Sequence, residues 1–261
     1  MTAGLSPRWF RRFQPAARAW RRLVCFPHAG GAASCFRPWR DHLPPSVDLL
    51  AVQYPGREDR AHEPALTDME TMAGRVAEAL GGLLDAPVVL FGHSMGAAIA
   101  YEVALRVQAR CGSRLRGVVL SAHPGPRHIV PGVKHLASDE VLWDELRRLN
   151  GTRDPVLENR ELRSLLLPSL RSDYRLSETY LPARREPLAC RVVACLGDDD
   201  PEVTPAEAAA WREATSGGFE LRVFPGGDHF YLRHHRQDLV DLVLGVLGVA
   251  PWEAGTWPST P

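Results

Sequence analysis

The chain has 261 residues, 45% of them apolar and 24% charged, with 31 Lys+Arg against 31 Asp+Glu. That is enough to bury one large core, and it excludes disordered and collagen-like classes. The zero net charge gives no general attraction to nucleic acid or to a membrane surface. It also hides a split. Arg8, Arg11, Arg12, Arg18, Arg21 and Arg22 precede Leu23 with no acid among them, so the other 239 residues carry 25 basic and 31 acidic groups. Residues 1–22 therefore read as a basic N-terminal arm. It lacks the apolar stretch of a secretory signal, and no run approaches the roughly 18 apolar residues of a membrane span. Cys25, Cys35, Cys111, Cys190 and Cys195 are odd in number and scattered, which argues against a disulfide framework and a zinc site and for a reducing, cytoplasmic setting.

In chain order, the apolar runs Leu23 to Phe26, Val47 to Tyr54, Pro87 to Phe91, Leu115 to Ser121, Cys190 to Leu196 and Phe219 to Phe224 predict strands. Several are continuous, as strands covered on both faces are. Helical patterns lie between them, over Thr67 to Leu84, Met95 to Cys111, Pro205 to Thr215 and His235 to Val249, with capping boxes predicted at Thr67 with Glu70 and at Thr204 with Glu207. This alternation predicts an α/β fold with a mostly parallel sheet flanked by helices, spanning residues 23–250. Residues 125–187 break the rhythm. They hold helix-like pieces at Ser138 to Leu149 and Glu158 to Leu167, punctuated by Gly151, Pro155, Pro168 and Pro182, and are expected to form a helical lid insertion. Residues 251–261, rich in Pro, Gly, Ser and Thr, are expected to be disordered.

Gly92-His93-Ser94-Met95-Gly96 follows the run Val88 to Phe91 and opens a small-residue helix. This is the nucleophile elbow pattern in the strand, turn, helix context it requires. The turn would present Ser94 Oγ, and the Met95 N–H would face a developing oxyanion. A serine needs a base and an orienting acid. His229, after the predicted strand at Phe219 to Phe224, is the candidate base. Asp200 is the first choice for the acid, with Asp198 and Asp199 open alternatives and Asp228 remote. His93 is read as structural, and His42, His62, His234 and His235 as surface residues. The loop Phe26-Pro27-His28-Ala29-Gly30-Gly31 would supply a second oxyanion donor, the Ala29 N–H.

Together with Val52-Gln53-Tyr54-Pro55-Gly56-Arg57-Glu58-Asp59-Arg60, Asp199-Asp200-Pro201, Phe224-Pro225-Gly226-Gly227-Asp228-His229-Phe230 and the lid segments Leu165 to Leu170 and Asp173-Tyr174, these motifs resemble the type II thioesterases of polyketide synthase and non-ribosomal peptide synthetase systems. The resemblance runs from about Trp9 to Leu247. It implies an α/β-hydrolase fold and a stand-alone enzyme that removes stalled or aberrant acyl groups from the phosphopantetheine arm of acyl or peptidyl carrier proteins. It further implies Ser94, Asp200 and His229 as catalytic groups, Ala29 and Met95 as oxyanion hole, and no metal or cofactor beyond the substrate's own phosphopantetheine. The Pro-Gly-Gly-Asp-His stretch holds one residue more than the shorter forms of that motif. A general carboxylesterase or lipase is the rival enzyme, and a catalytically silent binding module the rival of another class. Leu142, Trp143, Leu146, Leu149 and Leu165 to Leu167 are candidates for an acyl channel, with helix packing the plainer expectation. Arg11 and Arg12, with Arg184 and Arg185, could guide an acidic carrier protein. A monomer is the default.

Overall fold

The computed structural model describes residues 8–13, 19–150, 160–183 and 186–250. Residues 251–261, expected to be disordered, and Arg184 and Arg185 lie outside these.

Among the described residues seven strands form one sheet: β1 (Phe10–Arg12), β2 (Arg21–Phe26), β3 (Val47–Val52), β4 (Val88–His93), β5 (Leu115–Ser121), β6 (Arg191–Gly197) and β7 (Phe219–Phe224). Their order is β1-β3-β2-β4-β5-β6-β7. Of these pairs β1–β3 is antiparallel and the other five are parallel. The six predicted strands are all present, with ends moved by a few residues. β1 was not foreseen. Part of the expected basic arm is instead an edge strand, because Phe10 is buried and the arginines beside it find acids. Arg12 Nε lies 2.8 Å from Asp48 on β3, and Arg11 pairs with Asp59, Arg8 with Glu63 and Arg22 with Asp85. Much of the positive charge that suggested a docking surface is thus neutralised within the chain.

Residues alternate between the two faces of the sheet, as the pleat requires. Val24, Phe26, Leu50, Leu90, Val118 and Val192 pack on one side against α1 (Met69–Leu80) and α2 (Met95–Cys111). Leu23, Cys25, Leu49, Val89, Val119 and Val193 pack on the other against α6 (Arg236–Leu247) and the 3-10 segment Ala33–His42 with its buried Phe36 and Trp39. Both faces are covered, which is why the central strands read as continuous apolar runs.

α1 begins one residue later than the predicted capping box would place it. Asp68 is the N-cap, accepting from the Thr71 N–H at 2.7 Å; its carboxylate does the same task without the Thr67 with Glu70 arrangement. The box at Thr204 with Glu207 is formed at the start of α5 (Pro205–Ala209). Between β5 and β6 the described residues contain α3 (Asp139–Asn150), α4 (Arg160–Glu178) and no strand. α4 passes through Pro168, where the sequence suggested an end. The missing N–H costs one helical bond, and contacts on either side outweigh it: Leu167 and Leu170 pack with Leu142 and Trp143, and Leu176 joins the main core. No helix among the described residues is long and apolar enough to cross a membrane.

Candidate active site

The site is built at the carboxyl ends of the parallel strands, where loops from several strands converge. β4 ends at His93, and Ser94 follows with φ 54° and ψ −124° before α2 begins at Met95. That left-handed backbone is sterically costly for serine. Neighbours hold it: the Ser94 N–H donates to Ser121 O at 2.8 Å and its carbonyl accepts from the Ala97 N–H at 2.8 Å. The flanking glycines permit the turn. A Cβ on Gly92 would lie 2.1 Å from Gly96 O, and one on Gly96 would lie 2.1 Å from Phe26 O.

The loops after β6 and β7 bring Asp200 and His229 to this serine. His229 Nδ1 lies 3.0 Å from both carboxylate oxygens of Asp200, and Nε2 lies 3.1 Å from Ser94 Oγ. An ionised carboxylate can only accept, so the Nδ1–H donates to it and the Nε2 lone pair faces the hydroxyl. The Asp200 and His229 side chains are 0% and 3% exposed. The other acids are engaged elsewhere or exposed. Asp198 is exposed and accepts from the Gly227 N–H, Asp199 is exposed, and Asp228 accepts from the Phe230 N–H. The longer Pro-Gly-Gly-Asp-His stretch is accommodated by Gly226, at φ 67°, and by the tight fit of Gly227 beside Gly197.

His93 points away from Ser94 into the core. Its Nδ1 is 2.9 Å from Ser121 Oγ, which is in turn 2.7 Å from the Tyr231 hydroxyl. Burial, with the nearby His229 and His28, holds the His93 pKa well below the usual histidine range. Burial likewise depresses His28 to about 3 and His123 to about 4. These three therefore stay neutral around the site at neutral pH. His62 and His234 are exposed, and His42 and His235 partly so.

A cavity of about 290 Å³ opens over Ser94 and His229. That is at the small end of the roughly 300–1,000 Å³ typical of small-molecule sites. Met95 and Ala29 line it on the sheet side, and Leu146, Leu149 and Tyr174 line it from α3 and α4. The leucines proposed for a channel thus divide. Leu142, Trp143 and Leu167 pack inside the insertion, Leu165 is 72% exposed, and Leu146 and Leu149 reach the cavity.

One part of the site escaped sequence reasoning. Arg57 and Asp173, 116 positions apart, form a buried bidentate pair beneath the His28–Gly31 loop. Both residues lie in motifs that carry the family resemblance, but nothing local in the sequence joins them. No cluster of three or more His, Cys, Asp or Glu residues able to hold a metal occurs among the described residues.

A family model described as "Thioesterase domain" matches residues 21–245. The "Probable cadicidin biosynthesis thioesterase" of Streptomyces griseus is 45% identical over 87% of this chain, and the chain spans 63% of that relative's length. "Thioesterase PikA5" of Streptomyces venezuelae is 44% identical over 86% of this chain and 80% of its own. Among solved structures, the type II thioesterase BorB from the borrelidin biosynthetic cluster is 44% identical with a TM-score of 0.86, covering 92% of this chain and 97% of that one.

Proposed function

Given that the chain belongs to the thioesterase family, we propose that it is a type II thioesterase that hydrolyses acyl groups from the phosphopantetheine arm of carrier proteins serving polyketide or non-ribosomal peptide synthesis. The observation that carries the catalytic reading is the unbroken path from the Asp200 carboxylate through His229 to Ser94 Oγ at the floor of a cavity. Its editing role, clearing stalled or aberrant acyl groups, is supported by the biosynthetic systems for which its relatives are named.

In this reading Ser94 Oγ attacks the thioester carbonyl carbon while its proton passes to His229 Nε2. Asp200 holds the ring in the required tautomer and stabilises the imidazolium. The carbonyl oxygen becomes an oxyanion, received by the backbone N–H groups of Met95 and Ala29. Met95 opens α2, where the helix dipole favours negative charge. In the other loop, Pro27 has no N–H, the Gly31 N–H donates to His28 O and the Gly30 N–H donates to Asp173, which favours Ala29 as the donor. The C–S bond then breaks, the pantetheine thiol takes the proton from His229, and an acyl-serine ester remains. Water adds to that ester, giving its proton to His229; the C–Oγ bond breaks, Ser94 recovers the proton, and a free acid leaves. Protein groups supply every proton transfer, so no metal or bound cofactor enters these steps.

The described part of the insertion, which places Leu146, Leu149 and Tyr174 on the cavity, acts as its lid. All the catalytic groups come from one chain, so a monomer suffices, and its setting is the cytoplasm, where carrier-bound intermediates are made. The test is acid release from an acyl carrier protein by wild type and Ser94→Ala, with a p-nitrophenyl ester of the same acyl group as comparison. Loss of acid release in Ser94→Ala, with carrier thioester preferred by wild type, is the expected result. Full activity of Ser94→Ala overturns the mechanism, and a preference for the oxygen ester overturns the substrate class.

A further inference from the structure

The His28–Gly31 loop is held from below by one ion pair. Asp173 Oδ2 accepts from the Gly30 N–H at 2.8 Å and from Arg57 Nη1 at 2.7 Å, while Oδ1 accepts from Arg57 Nη2 at 2.6 Å. Arg57 Nη1 also donates to Gly31 O at 2.9 Å. Thus the two glycines that follow Ala29 are gripped from opposite ends, Gly30 at its N–H by the carboxylate and Gly31 at its carbonyl by the guanidinium. The pair is buried, with side chains 5% and 0% exposed.

Arg57 is itself fixed. Gln53 donates to Arg57 O at 3.1 Å and accepts from the Ala33 N–H at 3.0 Å, and the Tyr54 hydroxyl donates to Pro27 O at 3.2 Å. The stretch after β3 therefore holds both shoulders of the loop. Gly30, at φ +75°, also packs against α4: a Cβ there would lie 3.0 Å from Leu170 Cδ1. Asp173 and Leu170 belong to the helical insertion, so the loop's shape depends on a helix from another part of the chain.

Stability alone is a weak reason for such a pair, because apolar residues of similar volume often serve a buried site equally well or better. Its geometric effect is specific. We propose that Arg57 and Asp173 are positioning residues for acyl transfer, which shape the His28–Gly31 loop so that the Ala29 N–H meets the oxyanion, and that seating of α4 completes the hole. This rests on the reading of Ala29 as an oxyanion donor. Losing one such donor lowers kcat by about 10²–10³, and a misplacement near 1 Å by about 10².

The test uses Arg57→Lys, which keeps the charge pair but loses the fork, and Arg57→Met/Asp173→Leu, which removes both charges and leaves none unpaired. For each, kcat and KM on a small acyl-pantetheine thioester are measured with the inhibition constants of an acyl trifluoromethyl ketone and of the product acid. The ketone's adduct with Ser94 carries an oxyanion; the acid reports ground-state binding. Expected are a fall in kcat of about 30- to 300-fold, KM within about threefold, and a ketone inhibition constant raised by a similar factor while that of the acid holds. A merely structural role would lower the melting temperature or the active fraction but leave the ketone's constant at the wild-type value. That result in the folded fraction of either variant overturns the proposal. Ser94→Ala separates the two levels: if it stays active the catalytic reading fails, whereas if it is dead and the pair variants bind the ketone normally, only the positioning proposal fails.

Discussion

Gly92 and Gly96 are in backbone contact across the elbow, with Gly96 O only 2.1 Å from where a Cβ on Gly92 would stand. The strand and helix that carry Ser94 approach so closely at Gly92, and the helix so closely to Phe26 and Pro27 at Gly96, that neither position tolerates a methyl group. Gly92→Ala or Gly96→Ala is expected to destabilise the fold by about 3 kcal/mol or more, since backbone must shift in a packed interior. Gly245 on α6 has nothing within 4 Å of its would-be Cβ, so Gly245→Ala should stabilise by about 0.5–1 kcal/mol through helix propensity. Urea denaturation of the three variants checks both signs.

The choice among the acids after β6 gives a second expectation. Asp200 meets His229 Nδ1, whereas Asp199 is exposed. Asp200→Asn should lower kcat on the order of 10⁴-fold with KM little changed, because an amide favours the wrong imidazole tautomer. Asp199→Asn should stay within about threefold of wild type. Steady-state kinetics on one thioester decide between them, and equal effects would contradict the assignment.

Leu146 offers control over acyl length. It lines the cavity and also packs against the core of the insertion, while Leu165 is exposed. Leu146→Trp should shorten the accessible chain. Excluding two methylenes costs roughly 1.6 kcal/mol, or about fifteenfold in kcat/KM for long acyl groups, with acetyl thioester little affected. Leu165→Ser should alter neither. A series of acyl-pantetheine thioesters of increasing length reads the difference.

The neutral histidines around the site predict acid sensitivity of a definite sign. His93, His28 and His123 have folded pKa values below the ordinary 6.5, because burial disfavours their charged forms. The unfolded chain therefore binds more protons below about pH 6.5, and stability from these groups is complete above that pH. It falls as pH drops from about 6.5 toward 4, by at most about 1.4 kcal/mol per pH unit for each histidine. Denaturation midpoints measured from pH 7.5 to 4.5 check this, and His123→Gln should flatten the slope by up to one proton.

What the sequence could determine was local, or was carried by motifs that each sit on one stretch of chain. The six predicted strands, the elbow glycines and the order of Ser94, an aspartate after β6 and His229 are of this kind. Steric demands at a turn and two-sided burial of a strand leave marks within a few residues. Even there the cap of α1 moved to Asp68, because neighbouring Thr67 and Asp68 carry nearly the same capping signal and only the chain's path chooses between them.

Other features needed the tertiary structure. Three adjacent aspartates look alike in sequence, and the turn after Gly197 selects the one that faces His229. The basic start read as a free arm because its acids, Asp48, Asp59, Glu63 and Asp85, lie 36 to 63 residues away. The leucines of the insertion share a composition but split between its own core, the cavity and solvent. Arg57 and Asp173 carry no mark of their partnership until β3 and α4 converge on the His28–Gly31 loop. Charge pairing and cavity lining are relations between distant residues set by the packing of whole elements, whereas turns and strand burial are written where they occur.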